Sequence, residues 1–238
     1  MQLDKRNSVE IRRSVAKQTA VSCLLLFVHI IIFFTSAGHI DVPRAWAFFG
    51  ITFVHSIVSI AVVHKLNPEL IEQRLKVRRK GSKLWDEVLM RVINLTAICV
   101  APAVAGFDVG RFHWAQLSIY YVAVGVVLYI LSSALMNWAM VVNPYFEQTV
   151  RIQEERGHKM ITTGPYKIVR HPGYLAGVLW ILTVPLIIGS VLAFVPAGIY
   201  VLLTIIRTSL EDRTLNRELS GYSEYAKKVK YRLFPGIW

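Results

Sequence analysis

Cysteine and acidic residues are scarce in this sequence of 238 residues. The two cysteines, Cys23 and Cys99, lie in apolar blocks with no CxxC or Cys/His spacing, so we expect no structural zinc or redox site. Both are predicted to be buried, small apolar residues. The 15 acidic residues face 27 Lys and Arg, which gives a net charge of +12. Basic residues cluster at the ends of apolar blocks rather than in an aromatic-rich patch, so we expect no nucleic-acid binding.

Apolar residues are in excess, at 54% of the chain, and they fall into blocks separated by charged segments. Four blocks are long enough to cross a bilayer core of about 30 Å; they are residues 18–37, 45–63, 88–106 and 115–136. Two shorter blocks follow, residues 174–188 and 191–206, joined by Gly189-Ser190. The sequence therefore predicts an all-α fold, a polytopic membrane helical bundle of about six spans whose last two form a short helical hairpin.

The distribution of Lys and Arg predicts the orientation of these spans. The N-terminus, the segments around 64–87 and 143–172, and the C-terminal tail hold 25 of the 27 basic residues, and the other two loops hold only Arg44 and Arg111. The positive-inside rule then predicts a multi-pass protein with both termini in the cytoplasm. A signal peptide ending near Ala37 is the alternative for the first block, but its length and its pairing with later spans favour an uncleaved helix.

We predict one integrated membrane domain with two parts. Residues 1–142 supply spans one to four, a cytoplasmic tail and the basic loop 64–87, which we expect to lie in solvent or among lipid headgroups. Residues 143–238 form a C-terminal core. In it, the polar segment 143–172 and the tail from 207 flank the hairpin, so both are expected on the same face.

The segment before the hairpin is rich in conformational signals. Gly164-Pro165 predicts a turn, because proline fixes φ and lacks a backbone donor. Pro172 disfavours helical geometry at His171 and is suited to the first turn of the next helix. Arg170 and His171 are therefore predicted to lie just outside a helix that enters the membrane, beside backbone amides that favour anions.

A second polar cluster lies where the hairpin returns, and it contains Arg207, Glu211 and Asp212. Arg207 and Glu211 are four residues apart and share a helix face if the helix continues past Ile206. The hairpin then brings both of them to the same cytoplasmic rim as Arg170. Such a rim suits a polar, cationic cofactor, while an apolar substrate is held in the bilayer.

These elements resemble a known superfamily. Arg170-His171-Pro172-Gly173-Tyr174 is similar to the RHPxY motif of the isoprenylcysteine carboxyl methyltransferase and phospholipid methyltransferase superfamily. The run from Arg207 to Asp212 resembles its R-x-x-x-E-E element, and residues 221–235 resemble its closing G-Y-x-x-Y … R-L-x-P pattern. The resemblance covers about residues 143–238, with three elements in the same order around a hairpin.

The resemblance implies an enzyme that uses S-adenosylmethionine and methylates a lipophilic acceptor reached from the bilayer. The cofactor positions that it implies are His158, Gly164, Tyr166, Val169, Arg170, His171, Pro172, Tyr174 and Glu211. Asp212 departs from the pattern, since it replaces the second glutamate of the acidic pair. A shorter carboxylate keeps the charge but loses reach, which puts the role of this position in doubt.

We take Arg170, His171 and Glu211 as the candidate catalytic residues and Arg207 as the candidate substrate-binding residue. Arg170 offers a bidentate fork for a carboxylate of the cofactor or the substrate. An amine acceptor needs a base, which His171 or Glu211 can provide, whereas a carboxylate acceptor needs none at neutral pH. Methyl transfer from a sulfonium is an in-line displacement that depends on positioning and needs no metal.

Several alternatives stay open at this point. A prenylcysteine carboxylate is the favoured acceptor, but a phospholipid amine or a small isoprenoid acid fits the same motifs. Membrane sterol reductases, which use NADPH, also resemble this superfamily near the C-terminus, although no second basic pocket for a 2′-phosphate is evident here. A non-catalytic membrane protein is the third alternative, supported only by Asp212.

Overall fold

A computed structural model describes residues 2–75 and 81–238 of the protein, with side chains described from Arg12 onward. Part of the predicted basic loop, residues 76–80, lies outside the described residues. The helices are α1 Gln2–Ala37, α2 Pro43–Leu66, α3 Pro68–Arg74, α4 Leu84–Phe112, α5 Tyr120–Val142, α6 Pro172–Ile188, α7 Phe194–Glu218 and α8 Tyr222–Lys228.

The predicted helical membrane bundle is confirmed. Within the described residues, α1, α2, α4, α5 and α7 are long and apolar enough to cross a membrane, and α6 is a shorter apolar helix. The same part of the chain contains no β-strand, only an isolated bridge between Gln116 and Ser190. The second arm of the hairpin is longer than expected, because α7 continues as one helix to Glu218.

The third span, α4, also continues beyond its predicted end at Gly106. It runs to Phe112 and includes π-helical turns at Thr96–Val100 and Phe107–Phe112. The prediction that Arg111 lies in a loop was therefore wrong, and Asp108 also belongs to this helix. The buried carboxylate of Asp108 is satisfied within the protein, since it accepts hydrogen bonds from the Ala115 amide (2.9 Å), the Ser190 hydroxyl (2.6 Å) and the Leu192 amide (3.2 Å).

Arg44 lies at the same end of the bundle and holds the turn of the hairpin in place. Its guanidinium donates to the carbonyls of Ile187 (2.9 Å), Leu117 (2.7 Å) and Leu186 (2.9 Å), which caps the C-terminus of α6 with a cation. Gly189 follows with a φ of +95°, and a Cβ placed there would lie 2.4 Å from the Arg44 Cζ. Glycine is therefore strongly favoured at this turn.

Close helix packing holds the hairpin in the bundle. Gly125 lets α5 approach α6, because an added Cβ would lie 2.6 Å from Ile187 Cγ1, and Ser132 donates to the Ala176 carbonyl at 2.8 Å.

Cys23 is exposed and Cys99 is half-buried, so the prediction that both are buried was wrong. The outer face of a spanning helix needs no protein cover, because lipid chains solvate apolar side chains.

The opposite end of the bundle collects the polar segments. The Lys83 amide donates to the Val150 carbonyl (3.2 Å), and its ammonium pairs with Glu218 at 2.7 Å. Backbone bonds from Arg170 to Tyr231 (2.9 Å) and from His171 to Arg232 (3.0 Å) join the RHPGY segment to the tail. The segments that flank the hairpin are thus neighbours, as expected.

Candidate functional site

A cavity opens where the polar segments meet, between loop 143–161, the start of α6, the end of α7 and α8. Its empty space is about 810 Å³, including the open solvent at its mouth. Most of the implied cofactor residues line it, namely His158, Tyr166, Arg170, His171, Pro172, Tyr174 and Glu211. The structure therefore brings two motifs that lie about forty positions apart in sequence to one cavity.

Arg170 is bonded on nearly all sides within the protein. Its Nε and Nη2 donate to the two carboxylate oxygens of Asp212 at 2.8 and 3.0 Å. Its Nη1 donates to the carbonyls of Val229 (2.7 Å) and Lys230 (3.0 Å). Four of the five guanidinium N–H groups are thus engaged. The fork expected to bind a ligand carboxylate is filled by Asp212, so Arg170 acts on the cavity by fixing its wall.

Asp212 is the centre of this polar network. Besides Arg170, its carboxylate accepts hydrogen bonds from the Tyr222 hydroxyl (2.5 Å) and Arg232 Nε (2.9 Å), and His171 Nε2 lies 3.3 Å away. Burial, followed by the charge of Asp212, raises the pKa of Tyr222, which therefore remains a hydrogen-bond donor. The shorter side chain that departs from the family pattern thus has a defined role here.

His171, Tyr174 and Glu211 form one wall of the cavity. The rings of His171 and Tyr174 are parallel, with centroids 5.6 Å apart and an interplanar angle of 4°. The Tyr174 hydroxyl donates to a carboxylate oxygen of Glu211, and His171 Nδ1 lies 4.0 Å from the other oxygen. A carboxylate is thus held at the cavity surface by an aromatic donor.

His158 lines the cavity from loop 143–161 and is neutral at physiological pH. Burial, aided by the charges of Arg151 and Arg156, lowers its pKa to about 4. Its ring stacks at a tilt on Tyr145 with centroids 4.3 Å apart, and its Nδ1 accepts from the Gln153 amide at 3.4 Å. An uncharged imidazole beside a tyrosine offers a surface suited to a planar ligand.

Arg151 is a cavity residue that the sequence reasoning missed. Its buried guanidinium pairs with Glu147 at 2.8 Å and with Glu155 at 2.7 Å, and these carboxylates raise the pKa of Arg151 further. In the described part of the chain, these bonds use three of its five N–H groups. The spacing of these residues is also that of ordinary surface pairs, so sequence alone does not reveal its burial.

Three implied site residues do not line the cavity. Gly164, with a φ of +58°, makes a close turn, where a Cβ would lie 2.9 Å from a methyl of Val142. Val169 is buried elsewhere in the packing. Arg207 lies behind the wall, because its Nε donates to Asp86 at 2.6 Å. The geometry therefore gives no support to a direct contact between Arg207 and substrate.

The composition of the cavity fits S-adenosylmethionine. Its walls combine aromatic rings of Tyr145 and Tyr166 with aliphatic side chains of Met160 and Leu215, which suits a purine. Glu211 places a carboxylate where an ammonium or a sulfonium would be favoured. The residues present thus match both the apolar and the cationic parts of this molecule.

Comparisons with known proteins confirm the resemblance. Residues 124–217 match the model of the isoprenylcysteine carboxyl methyltransferase (ICMT) family. Two rice proteins, from Oryza sativa subsp. indica and subsp. japonica, are each named a probable protein-S-isoprenylcysteine O-methyltransferase. Each is 29% identical to this chain over 109 residues, which is 44% of this chain and 57% of the relative. The match thus spans little more than half the length of these relatives.

A solved structure has the same fold. It is that of the eukaryotic intramembrane Ras methyltransferase ICMT, with a TM-score of 0.51 and 17% sequence identity. The alignment covers 91% of this chain and 74% of that protein, so it extends well beyond the region that matches the family model. Together with the apolar helices, these similarities support an integral membrane helical protein with the ICMT architecture.

Proposed function

We propose that this chain is an integral membrane methyltransferase that uses S-adenosylmethionine and methylates the carboxylate of an isoprenylcysteine-like lipid. The observation that carries the proposal is the cavity in which the RHPGY segment meets Glu211, since both belong to the region that matches the family model. The whole activity is proposed, because the match covers only part of the relatives.

The side chains of this cavity have complementary roles toward the methyl donor. Glu211 would pair with its positive charge, and the remaining N–H groups of Arg151 would bind its carboxylate. Tyr145 and neutral His158 would pack on its purine. When bound, S-adenosylmethionine supplies an activated methyl group on a sulfonium. The polar network around Asp212 keeps these walls rigid, which favours positioning over flexibility.

Charge requirements favour a carboxylate as the acceptor. A carboxylate is already ionised at neutral pH and gives up no proton when it is methylated. An amine must lose a proton, and of the two candidate bases Glu211 already accepts the Tyr174 hydroxyl and is proposed to face the positive charge of the donor, which leaves His171. His171 Nε2, however, lies 3.3 Å from Asp212 inside the network. That position favours a structural role for His171 and hence the carboxylate acceptor.

We assign the acceptor to a second cavity, between α1, α2, α3 and α5. Its empty space is about 700 Å³, and Ser22 and Ser56 line both this cavity and a narrow apolar crevice between α1 and α2. Phe146 connects this second cavity to the donor cavity, which is the cavity around Glu211 proposed to bind the methyl donor. Phe146 lines the donor cavity, and its ring lies 5.6 Å from the guanidinium of Arg74, which lines the second cavity. The crevice suits a lipid tail, and the positive charge of Arg74 suits an acidic head.

We also propose that the donor cavity faces the cytoplasm. The segments at its end of the bundle hold most of the basic residues, and the only Lys or Arg side chains at the other end are Arg44 in α2 and Arg111 in α4. A cytoplasmic position gives the cavity direct access to a soluble methyl donor. Protease or tag accessibility in sealed vesicles tests this orientation.

The donor site is tested by calorimetric titration of the purified protein with S-adenosylmethionine and, in parallel, with NADPH. We expect binding of the methyl donor only, and about 100-fold weaker binding for Glu211→Gln, because a charge partner in a desolvated site is lost. Glu218→Gln is the matched control, since this acid ends the same helix but pairs with the half-exposed Lys83. Binding of NADPH alone, or equal effects of the two variants, would overturn the site.

The acceptor cavity is tested by filling it. Ser56→Trp places a large ring in the cavity, whereas Val54→Trp puts the same ring on the exposed face of the same helix. We expect a raised KM for a prenylcysteine acid in the first variant only, with donor binding unchanged in both. An unchanged acceptor KM in Ser56→Trp would place the acceptor elsewhere.

A further inference from the structure

Asp86 is a buried acid outside the region that matches the family model, and it contacts the backbone of the donor cavity at Val150. Asp86, near the start of α4, is fully buried, although it precedes the matched segment by almost forty residues. Its carboxylate accepts two hydrogen bonds from Arg207, from Nε at 2.6 Å and from Nη2 at 3.2 Å. It also accepts one from the Val150 amide at 2.7 Å. These hydrogen bonds join α4 to α7 and to loop 143–161.

The same ion pair holds the loop wall of the donor cavity at two backbone points. Asp86 binds the Val150 amide, and Arg207 Nη2 donates to the Gln148 carbonyl at 2.7 Å. Thr149 and Val150, which lie between or at these points, line the cavity. The position of this strip of backbone therefore depends on both members of the pair.

The Asp86–Arg207 pair also supports the wall formed by Tyr174 and Glu211. The guanidinium carbon of Arg207 lies 4.8 Å from the ring centroid of Tyr174, within the range of a cation–π contact. The hydroxyl of Tyr174 in turn donates to Glu211. A chain of contacts thus runs from Asp86 through Arg207 and Tyr174 to the carboxylate proposed to face the methyl donor.

We propose that Asp86 is a positioning residue for the methyl-donor site, acting through Arg207 on both walls. The inference rests on the proposed function, because it takes this cavity as the donor site. Buried ion pairs contribute little net stability compared with well-packed apolar residues. The directional bonds of this pair, by contrast, fix two cavity walls relative to each other, which an apolar pair of the same volume cannot do.

A matched control separates positioning from simple stabilisation. Asp108 is the same residue type on the same helix, is equally buried, and is bonded to a hydroxyl and two amides. It lies 22 residues further along α4, roughly 30 Å away at 1.5 Å per residue. Both Asp86→Asn and Asp108→Asn are expected to lower Tm, but only Asp86→Asn should disturb the donor cavity.

The measurements are Tm and the Kd for S-adenosylmethionine, with KM and kcat where turnover is measured. We expect Asp86→Asn to raise the donor Kd at least about tenfold, as for a lost charge-assisted hydrogen bond, and Asp108→Asn to leave it unchanged. Acceptor KM should be unaltered in both. Equal donor Kd values in the two variants would refute the positioning role.

A milder variant keeps the test decisive if Asp86→Asn fails to fold. Arg207→Lys retains the charge opposite Asp86 but cannot supply the planar fork that also reaches the Gln148 carbonyl. We expect a raised donor Kd with a small change in Tm. An unchanged Kd would contradict the inference. Failure of the wild-type protein to bind the donor would instead refute the proposed function, so the two failures are distinguishable.

Discussion

Replacing Asp212 by alanine removes the carboxylate that joins the RHPGY segment to the C-terminal tail. The change leaves Arg170 without the partner of its Nε and Nη2, and it also frees Arg232 and the Tyr222 hydroxyl. The backbone bonds between the two segments remain. The experiment therefore isolates the side-chain network.

The magnitude follows from burial. Removing one partner of a buried ion pair costs about 3–5 kcal/mol, because a charge is left desolvated. The Arg170 side chain is only 7% exposed, whereas the Arg232 side chain is 31% exposed and can turn outward. Most of the cost therefore comes from Arg170. For a chain of this size, each kcal/mol corresponds to about 2–4 °C in Tm, so we expect a fall of about 10 °C.

Thermal unfolding in detergent measures this effect, with Lys83→Ala as the control. Lys83 pairs with Glu218 at 2.7 Å, but both side chains are substantially exposed, and such pairs contribute at most about 1 kcal/mol. We expect Asp212→Ala to lower Tm several times more than Lys83→Ala does. Similar losses in the two variants would show that Asp212 does not organise a buried network.

Three further predictions concern single positions. Gly189→Ala should lower the free energy of unfolding by about 1–3 kcal/mol in thermal denaturation, because it combines a φ of +95° with a clash against Arg44. Tyr174→Phe should weaken donor binding about tenfold by calorimetry, since Glu211 loses a hydroxyl donor. The pKa of His158 is about 4, against about 6.5 in an unfolded chain, so the unfolded state binds more protons between these values. Stability should therefore fall as pH is lowered from about 6.5 to about 4, and less steeply in His158→Gln, as measured by Tm against pH.

The sequence predicts the helical bundle well because long apolar blocks have few alternatives in a bilayer. The ends of individual helices were harder to predict. Arg111 was predicted to lie in a loop, yet α4 continues to Phe112. The carboxylate of Asp108 in the same segment is satisfied inside the fold by Ala115 and Ser190. The apolar block of the hairpin's second helix ends at Ile206, and the residues beyond it are polar. The sequence therefore did not show that this helix continues to Glu218 along the cavity.

The part of the candidate site that was predictable consists of residues in the two motifs that flank the hairpin. Arg170, His171 and Glu211 all line the cavity, as the hairpin argument requires. The pairing of Arg207 with Asp86 was not predictable, since the two residues are 121 positions apart and nothing local marks the partner. The role of Asp212 was likewise invisible, because it depends on how the tail folds back onto α6.

Methyl transfer by the purified protein is the most direct test of the proposed function. The protein in lipid nanodiscs is incubated with methyl-labelled S-adenosylmethionine and an S-farnesylcysteine acid, and the labelled lipid is then treated with alkali. We predict incorporation that alkali releases, as expected of a methyl ester, and loss of that signal in Glu211→Gln. An alkali-stable product would indicate amine methylation, and no incorporation from wild-type protein that binds the donor would contradict carboxyl methylation of this acceptor.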